Sequence, residues 1–330
     1  MDGGLVSDVE SRRSLVTGAT GYIGGHLAAL LVDRGQTVRA LARKPEKLRD
    51  APWRDGAEVV RGDLSDPESL VAAFDGVDVV YYLVHSMGTS SDFVREEERS
   101  ARNVAAAAEK AGVRRIVYLS GLHPEGELSR HLKSRNTVGE ILMESSVETV
   151  VLQAGIVVGS GSASFEMIRH LTDRLPLMTT PKWVRNKIQP ISIDDVLHYL
   201  VEAADAPIEK SRAFDVGCPD VLEYGDAMQV YAEVAGLRRR VIIALPLLTP
   251  SIASWWVGLV TPIPSGLARP LVESLEHDAV MSEHDIDDVI PPPAGGLTGY
   301  RDSVIKALQQ DGSSGKGRRH LIRFSSSAPQ

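Results

Sequence analysis

Up to Gly155, short apolar runs alternate with segments whose apolar side chains recur at helical spacing. Asp78–Val84 is apolar at nearly every position, which is typical of a parallel strand buried on both faces. Gly21–Arg34 instead repeats its apolar residues every three or four positions, which predicts an amphipathic helix. Repeated units of this kind predict an α/β fold built on a doubly wound parallel sheet. The predicted strands are Ser14–Thr17, Thr37–Ala42, Ala57–Arg61, Asp78–Val84, Arg115–Ser120 and Glu148–Leu152, and the predicted helices include Gly21–Arg34, Asp92–Ala111 and Ser129–Ser145.

After Gly155 the alternation becomes irregular, and we interpret this part as a smaller carboxy-terminal cap that shares elements with the sheet. Its predicted elements are helices at Ser160–Leu171, Ile193–Ala203 and Tyr224–Ala235, strands at Gln189–Ile191 and Ala213–Val216, and a loop at Pro176–Pro181. The expected division is a flexible amino terminus at 1–13, a sheet domain at 14–158 to which 189–218 return, a cap at 159–188 and 219–310, and a disordered tail rich in serine and glycine at 311–330.

The composition is that of a folded, acidic chain. Its 330 residues are 43% hydrophobic and 24% charged, with a net charge of −8, so we expect no nucleic-acid partner. The single cysteine, Cys218, excludes an internal disulfide and a cysteine-rich zinc site, and the nine histidines form no HxH or HExxH pair. The first ten residues show no signal-peptide pattern, so we expect a cytoplasmic location.

One segment tests that expectation. Val241–Ala268 carries no charge over 28 residues, which is long enough to span a bilayer. Four prolines interrupt it, and a helix broken so often would leave backbone groups unsatisfied in lipid. We expect a buried or pocket-lining part of the cap, and peripheral contact with a membrane surface or with a lipophilic substrate is the alternative.

The clearest motif joins the first predicted strand to the first predicted helix. Thr17–Gly24 reads TGATGYIG, with its glycines spaced GxxGxxG. Glycines in such a turn let the backbone approach a pyrophosphate closely, and the helix N-terminus adds free N–H groups. We therefore predict a dinucleotide-binding cradle. Its candidate residues are Gly18, Thr20, Gly21, Tyr22, Ile23 and Gly24.

The residues after the second predicted strand indicate which dinucleotide binds. An NAD-preferring site usually carries a carboxylate about 20 residues beyond the glycines, but Arg39–Lys44 (RALARK) contains no acid. Arg43 can form a forked pair with a 2′-phosphate and Lys44 adds charge, so NADP is favoured over NAD, with a solvated basic turn as the alternative. Asp63, with Leu64 beside it, is placed to accept from the adenine amino group, and a turn cap is its alternative.

Together, these segments resemble the short-chain dehydrogenase/reductase superfamily in its extended or atypical branch. The resemblance covers about residues 14–300 and implies a Rossmann fold, a nicotinamide cofactor and hydride transfer. The chain is most similar to an atypical group that shares a GSGSASFEMIR segment and a tryptophan-containing turn. The segments that carry the resemblance are 17–25, 62–66, 81–87, 115–122, 159–169 and 183–191.

The chain departs from that superfamily at its catalytic signature, a YxxxK helix after the fifth strand. None of the eight tyrosines is followed four residues later by lysine. The expected helix carries His131 and Arg135 at that spacing, which places them on one helical face. We expect His131 to exchange a proton with the substrate and Arg135 to hold the nicotinamide ribose.

Further polar residues follow the fourth and fifth predicted strands. His85 and Ser120 lie at the strand ends and His123 lies just beyond, on the edge of the sheet that faces ligands in such folds. Ser120 resembles the superfamily's catalytic serine in region, although its distance from His131 along the chain differs. We take His85 and Ser120 as further catalytic candidates, and a structural role is the alternative for each histidine.

Two functions therefore stay open. The first is an NADP(H)-dependent oxidoreductase acting on a carbonyl, alcohol or enone of a mostly apolar molecule, with Val241–Ala268 excluding water from the nicotinamide. The second is a non-catalytic NADP(H)-binding redox sensor or assembly factor. The basic pair after the second strand, the polar rim and the apolar cap favour the first function, and the missing YxxxK favours the second. The substrate and the oligomeric state are left open.

Overall fold

The centre of the molecule is a seven-stranded sheet in which every pair of neighbouring strands is parallel. The computed structural model describes residues 12–85, 92–123, 128–244 and 275–312. The strand order is β3-β2-β1-β4-β5-β6-β11, so the direction in which successive strands are added reverses between β1 and β4. These strands are β1 Arg13–Thr17, β2 Thr37–Ala42, β3 Ala57–Arg61, β4 Val79–Tyr82, β5 Arg115–Gly121, β6 Glu148–Ala154 and β11 Arg212–Val216.

Helices cover both faces of this sheet. One face is packed by α1 and α6, whose Leu27 and Leu200 are fully buried with the sheet residue Val150. The other face is packed by α2, α3 and α4 around Tyr82 and Tyr118. The bounds are α1 Tyr22–Asp33, α2 Pro67–Phe74, α3 Phe93–Ala111, α4 Arg130–Met143 and α6 Ile193–Ala203.

A second apolar core lies in the carboxy-terminal part of the chain, where α5, α7 and α8 pack together. Three two-stranded ribbons accompany it, formed by β7 with β10, β9 with β12 and β8 with β13. The helices are α5 Ala163–Arg174, α7 Tyr224–Val234 and α8 Tyr300–Gln310. The strands are β7 Val157–Val158, β8 Leu177–Thr180, β9 Lys187–Ile188, β10 Ile191–Ser192, β12 Leu222–Glu223 and β13 Val241–Ala244.

The predicted fold class is confirmed, and several elements differ in their bounds. The loop expected at Pro176–Pro181 contains β8, because its residues pair with β13. The strand expected at Gln189–Ile191 is instead two short strands on either side of Gln189 and Pro190. The helix expected from Ser160 begins at Ala163, after a left-handed Gly161 at φ 88°.

The ends of the described chain also depart from expectation. β1 begins at Arg13, and Arg12 is buried in an ion pair with Asp205, so both belong to the folded structure rather than to a flexible terminus. Asp311, expected in a disordered tail, pairs with Arg169. The rest of the amino terminus, the rest of the tail and most of 241–268, including Trp255 and Trp256, lie outside the described residues. Within the described ranges, no helix combines the length and the apolar character needed to cross a bilayer.

Candidate functional site

The glycine-rich turn after β1 lies directly against the end of β4. The Thr17 hydroxyl donates to the Tyr81 carbonyl at 3.0 Å and accepts from the Leu83 N–H at 3.1 Å. Gly18 follows with φ 72°, a left-handed conformation that favours glycine. A methyl group at Gly18 would lie 2.7 Å from the Leu83 carbonyl oxygen. Gly18 is therefore required both by its backbone conformation and by the neighbouring strand.

The other two glycines of the motif are needed because there is little room for a side chain, and not because of an unusual backbone conformation. Gly21 has φ −87°, and a methyl group there would lie 3.1 Å from the Gly18 carbonyl oxygen. A methyl group at Gly24 would overlap that oxygen and lie 2.7 Å from the Gly18 carbonyl carbon. The first turn of α1 can therefore approach the cradle only because these positions lack side chains.

The N-terminus of α1 is left open toward this turn. Gly21 provides no side-chain cap, and the first helical turn contains no acidic residue. Its N–H groups can therefore bind an anionic group. Glycines that leave no room for a methyl group, followed by an uncapped helix N-terminus, fit the pyrophosphate of a dinucleotide.

Three other predicted cradle residues have different surroundings. Thr20 is exposed and Ile23 is half-buried. The Tyr22 ring lies 3.6 Å from where a Cβ at Gly161 would stand. Its buried hydroxyl, next to Gly159, has no hydrogen-bond partner among the described residues. The Tyr22 side chain therefore packs toward the turn before α5, and contact with the cofactor would come from backbone groups at this position.

The basic pair at the end of β2 faces solvent. Arg43 and Lys44 are both exposed, whereas the strand residue Ala42 before them is buried. Neither cation forms an ion pair with a carboxylate in the described part of the chain. Arg39, on the same strand, is buried and bonded to Glu58, so its role is structural. Two free cations thus stand at the position where the adenosine ribose lies in folds of this kind.

Asp63 and Leu64 lie on the neighbouring loop. Asp63 accepts hydrogen bonds on one oxygen from the Ser65 N–H at 2.9 Å and the Ser65 hydroxyl at 2.8 Å. Partial burial opposes ionisation, but these bonds and the charges of Arg43 and Arg99 lower the pKa of Asp63. The turn-capping role is therefore present, and a role toward adenine stays a prediction. The buried Leu64 supplies its carbonyl to the Asn103 side chain at 2.9 Å, which ties this loop to α3.

A second group of polar residues gathers at the carboxyl ends of β4 and β5. Arg135, from α4, lies against Gly121, where a methyl group would come within 3.3 Å of its Nη1. The Tyr118 hydroxyl donates to the Arg135 carbonyl at 3.2 Å. The Tyr118 ring also lies beside the His85 ring, with centroids 5.8 Å apart. The structure thus brings together the predicted residues His85 and Arg135 through residues that the sequence alone did not single out.

The positive charge of Arg135 affects both histidines of this rim. Desolvation, followed by that charge, lowers the pKa of His85 to about 3, so the ring is neutral at pH 7. Burial and Arg135 also lower the pKa of His123, against the opposing charges of Asp215 and Glu140. Neutral imidazoles can accept or donate hydrogen bonds here without carrying charge.

Two buried polar atoms near the end of β5 lack a well-aligned hydrogen-bond partner among the described residues. The buried Ser120 hydroxyl forms no well-aligned hydrogen bond, although it lies close enough to the Tyr118 hydroxyl to oppose the rise in the pKa of that phenol. Nε2 of His123 is buried and unbonded. The other ring nitrogen of His123 lies 2.9 Å from the side-chain nitrogen of Gln153 on β6. Because an amide nitrogen only donates, this contact makes Nδ1 the acceptor and puts the proton on Nε2. Unpaired buried groups of this kind are costly unless a ligand completes them.

His131 and Arg135 reach different neighbours, although they share a helical face by position. The His131 ring stacks on Phe93, the first residue of α3, with centroids 4.6 Å apart and 19° between the planes. Arg135 reaches β5 instead. His131 as the proton-exchanging group therefore stays a prediction. Among the described residues, no cluster of histidine, cysteine or carboxylate side chains has the arrangement of a metal site.

Comparison with known proteins extends this picture. Residues 18–157 match a family model described as NAD(P)H-binding. The chain is 26% identical over 300 residues to a ceramide reductase of Caulobacter vibrioides, covering 88% of this chain and 92% of that protein. These matches identify an NAD(P)H-binding domain at residues 18–157 and support the resemblance to the short-chain dehydrogenase/reductase superfamily. The chain therefore carries an NAD(P)H-binding domain with a Rossmann fold, and its relatives include reductases and dehydrogenases.

Other similarities are partial in sequence or limited to the fold. The chain is 36% identical over 121 residues to a 3β-hydroxysteroid dehydrogenase/Δ5→4-isomerase of Mycobacterium tuberculosis, and this match spans only 32% of that protein's length. A Citrobacter triphenylmethane reductase complexed with NADP(H) has a similar structure, with a TM-score of 0.69 at 19% identity over 90% of this chain and all of that one. That last likeness shows the fold alone.

Proposed function

We propose that this protein is an NADP(H)-dependent reductase that acts on a carbonyl or enone of a mostly apolar molecule. The observation that carries the proposal is the buried Ser120 hydroxyl, which has no well-aligned hydrogen-bond partner among the described residues. It lies one residue from the glycine that Arg135 contacts, on the sheet edge that also holds the dinucleotide cradle. Such an edge is where substrates meet the cofactor in open α/β sheets. The names of two relatives, a ceramide reductase and a hydroxysteroid dehydrogenase, support a lipophilic substrate.

The preference for NADP(H) rests on charge. Arg43 and Lys44 are exposed at the end of β2 and form no ion pair with the residues that the structure describes, and no carboxylate stands within that strand. A guanidinium matches the geometry of a phosphate with two parallel hydrogen bonds. Asp63 is a carboxylate near Arg43, but it already accepts two hydrogen bonds from Ser65. Similar structures hold either NADP(H) or NAD, so the choice depends on these side chains.

Polar residues at the ends of β4 and β5 and on α4 would carry out the other steps of the reaction. The bound cofactor supplies the hydride. Arg135 contributes a fixed positive charge that holds ribose hydroxyls and favours negative charge developing on a substrate oxygen. Ser120 donates a hydrogen bond to that oxygen. His85 is neutral, so it orients by hydrogen bonding rather than acting as a charged proton donor. His131, held in plane by Phe93, is the proposed group that exchanges the proton.

The test measures NADPH oxidation by the full chain against a panel of apolar ketones and enones. His131→Ala should lower kcat and leave cofactor affinity unchanged, because the imidazole meets the substrate. Arg135→Ala should weaken cofactor binding and lower kcat together. Lys133→Ala is the matched control, since Lys133 is exposed on the same helix. NADPH binding without turnover of any compound in the panel would overturn the proposal in favour of a sensor.

A further inference from the structure

The ribbon formed by β8 and β13 presents an apolar outer face to solvent. Its two strands run parallel, with Val241 opposite Leu177 and Ile243 opposite Thr179. Side chains alternate between the two faces of the ribbon, and the outer one carries Leu177 at 57%, Val241 at 56% and Ile243 at 45% exposure. Single exposed apolar residues are ordinary, but three adjacent ones on one face form a patch that marks an interaction site.

The inner face of the same ribbon is firmly attached to the carboxy-terminal core. Met178 is fully buried there, and Ile242 and Ala244 pack against that core. The Arg240 side chain is buried and donates to the Thr172 carbonyl at 2.8 Å. The outer face is thus held in place by the protein, so its exposure does not come from a loosely attached segment.

Cations stand at both ends of this face. Arg238 and Arg239 are exposed and directly precede β13, and because the strands are parallel they mark the amino end of the ribbon. Lys182 and Arg185, also exposed, follow β8 at the other end. A nearby carboxylate, Asp173, accepts from the Tyr231 hydroxyl and lies 3.9 Å from Arg169. Four exposed cations thus border the apolar face, although the whole chain carries a net charge of −8.

We propose that the outer face of the β8–β13 ribbon, with its flanking arginine and lysine side chains, binds the surface of an anionic lipid bilayer. Exposed aliphatic side chains enter the boundary between headgroups and acyl chains, and cations beside them pair with anionic headgroups. The residues of this surface are separate from those of the dinucleotide cradle. The proposal therefore does not depend on the proposed reductase activity.

The experiment is sedimentation of the full chain with lipid vesicles, either phosphatidylcholine alone or phosphatidylcholine mixed with phosphatidylglycerol. Binding is expected only to the anionic vesicles and should weaken as salt is raised. Arg238→Gln with Arg239→Gln should weaken it roughly 30-fold at low salt, since each cation near such a surface contributes about 1 kcal/mol. Val241→Ser with Ile243→Ser should weaken it at least about tenfold.

Matched controls come from the same chain. Val71 and Val221 are exposed to 56% and 47% on other elements, so Val71→Ser and Val221→Ser should leave vesicle binding unchanged. Arg102→Gln with Lys110→Gln removes two exposed cations from α3 as the charge control. Absence of binding, or equal loss in ribbon and control variants, would overturn the proposal. So would a loss of self-association in the ribbon variants by size-exclusion chromatography, because the face would then cover a second copy.

Discussion

Single atoms decide what the candidate site can bind. The cradle depends on positions where a methyl group has no room, and Gly24 is the tightest of them because its added carbon would overlap the Gly18 carbonyl oxygen. The next residue, Gly25, differs from it sharply. A methyl group there meets the Ala19 carbonyl oxygen at an ordinary 3.4 Å. Two adjacent glycines in one helix therefore have opposite consequences.

Gly24→Ala should lower the free energy of unfolding by about 1–3 kcal/mol, because the methyl group forces the turn away from α1. Gly25→Ala should instead raise it by about 0.5–1 kcal/mol, since alanine has less freedom to lose in a helix. Urea unfolding monitored by circular dichroism measures both. Equal effects of the two substitutions would contradict the packing of the cradle described above.

Arg43→Ala should weaken NADP(H) binding by about 10- to 150-fold, which corresponds to one charge-assisted hydrogen-bonded contact of roughly 1.5–3 kcal/mol. NAD(H) binding should change little, because that cofactor lacks the 2′-phosphate. Titration calorimetry with both cofactors tests this. Lys47→Ala removes an exposed cation from the following turn and serves as the control. Equal losses for both cofactors would remove the reason for assigning NADP(H).

At the scale of elements, the local sequence pattern predicted the strands of the sheet. It did not predict which side chains meet at the carboxyl ends of β4 and β5. β2 and β3 have the predicted bounds, because apolar runs bordered by turn residues specify short strands. The i,i+4 spacing of His131 and Arg135 correctly predicts one helix. Which neighbour each side chain reaches depends on Phe93 and Gly121, residues of other elements. The pairing of His123 with Gln153 likewise joins positions on two strands, which no local pattern reveals.

The attachment of α8 offers a test at the same scale, because this helix was not predicted. Asp195 in the first turn of α6 is buried and accepts from the Thr298 N–H at 2.8 Å, just before α8. Asp195→Ala should lower the free energy of unfolding by about 1.5–3 kcal/mol. Its neighbour Asp194 is half-exposed and pairs with Lys306 at 3.0 Å, so Asp194→Ala should cost less than about 1 kcal/mol. Comparable losses would mean that α8 is held by its apolar face alone.

For the whole molecule, half-buried histidines make stability depend on pH. The pKa of His85 is lowered to about 3, and those of His123 and His170 are also lowered, with burial as the main cause. Above about pH 6.5 these rings are neutral in both the folded and the unfolded chain. Below it the unfolded chain binds protons that the folded chain excludes, so the free energy of unfolding falls as the pH falls.

From pH 7 to pH 5 the share of His85 in this loss should be about 1–2 kcal/mol, reduced from the full linkage value because the ring is partly exposed. Urea unfolding at pH 7, 6 and 5 measures it, and His85→Asn should flatten the dependence by that amount. His26→Asn, at an exposed position, is the control. A dependence unchanged in His85→Asn would show that the ring takes up a proton as readily in the folded chain as in the unfolded one.

Arg115, in the first half of the chain, forms hydrogen bonds with residues that are synthesised much later. Its buried guanidinium, at the beginning of β5, pairs with Glu148 and donates to the carbonyls of Ala203 at 2.8 Å and Ala206 at 3.0 Å. These two carbonyls leave the ribosome 88 and 91 residues after Arg115. Until then a nascent sheet must keep that charge in water or bury it with unmet donors, which is costly. The nucleotide-binding half therefore closes at a cost until α6 has been made, and β11, which completes the sheet, follows α6 in the chain.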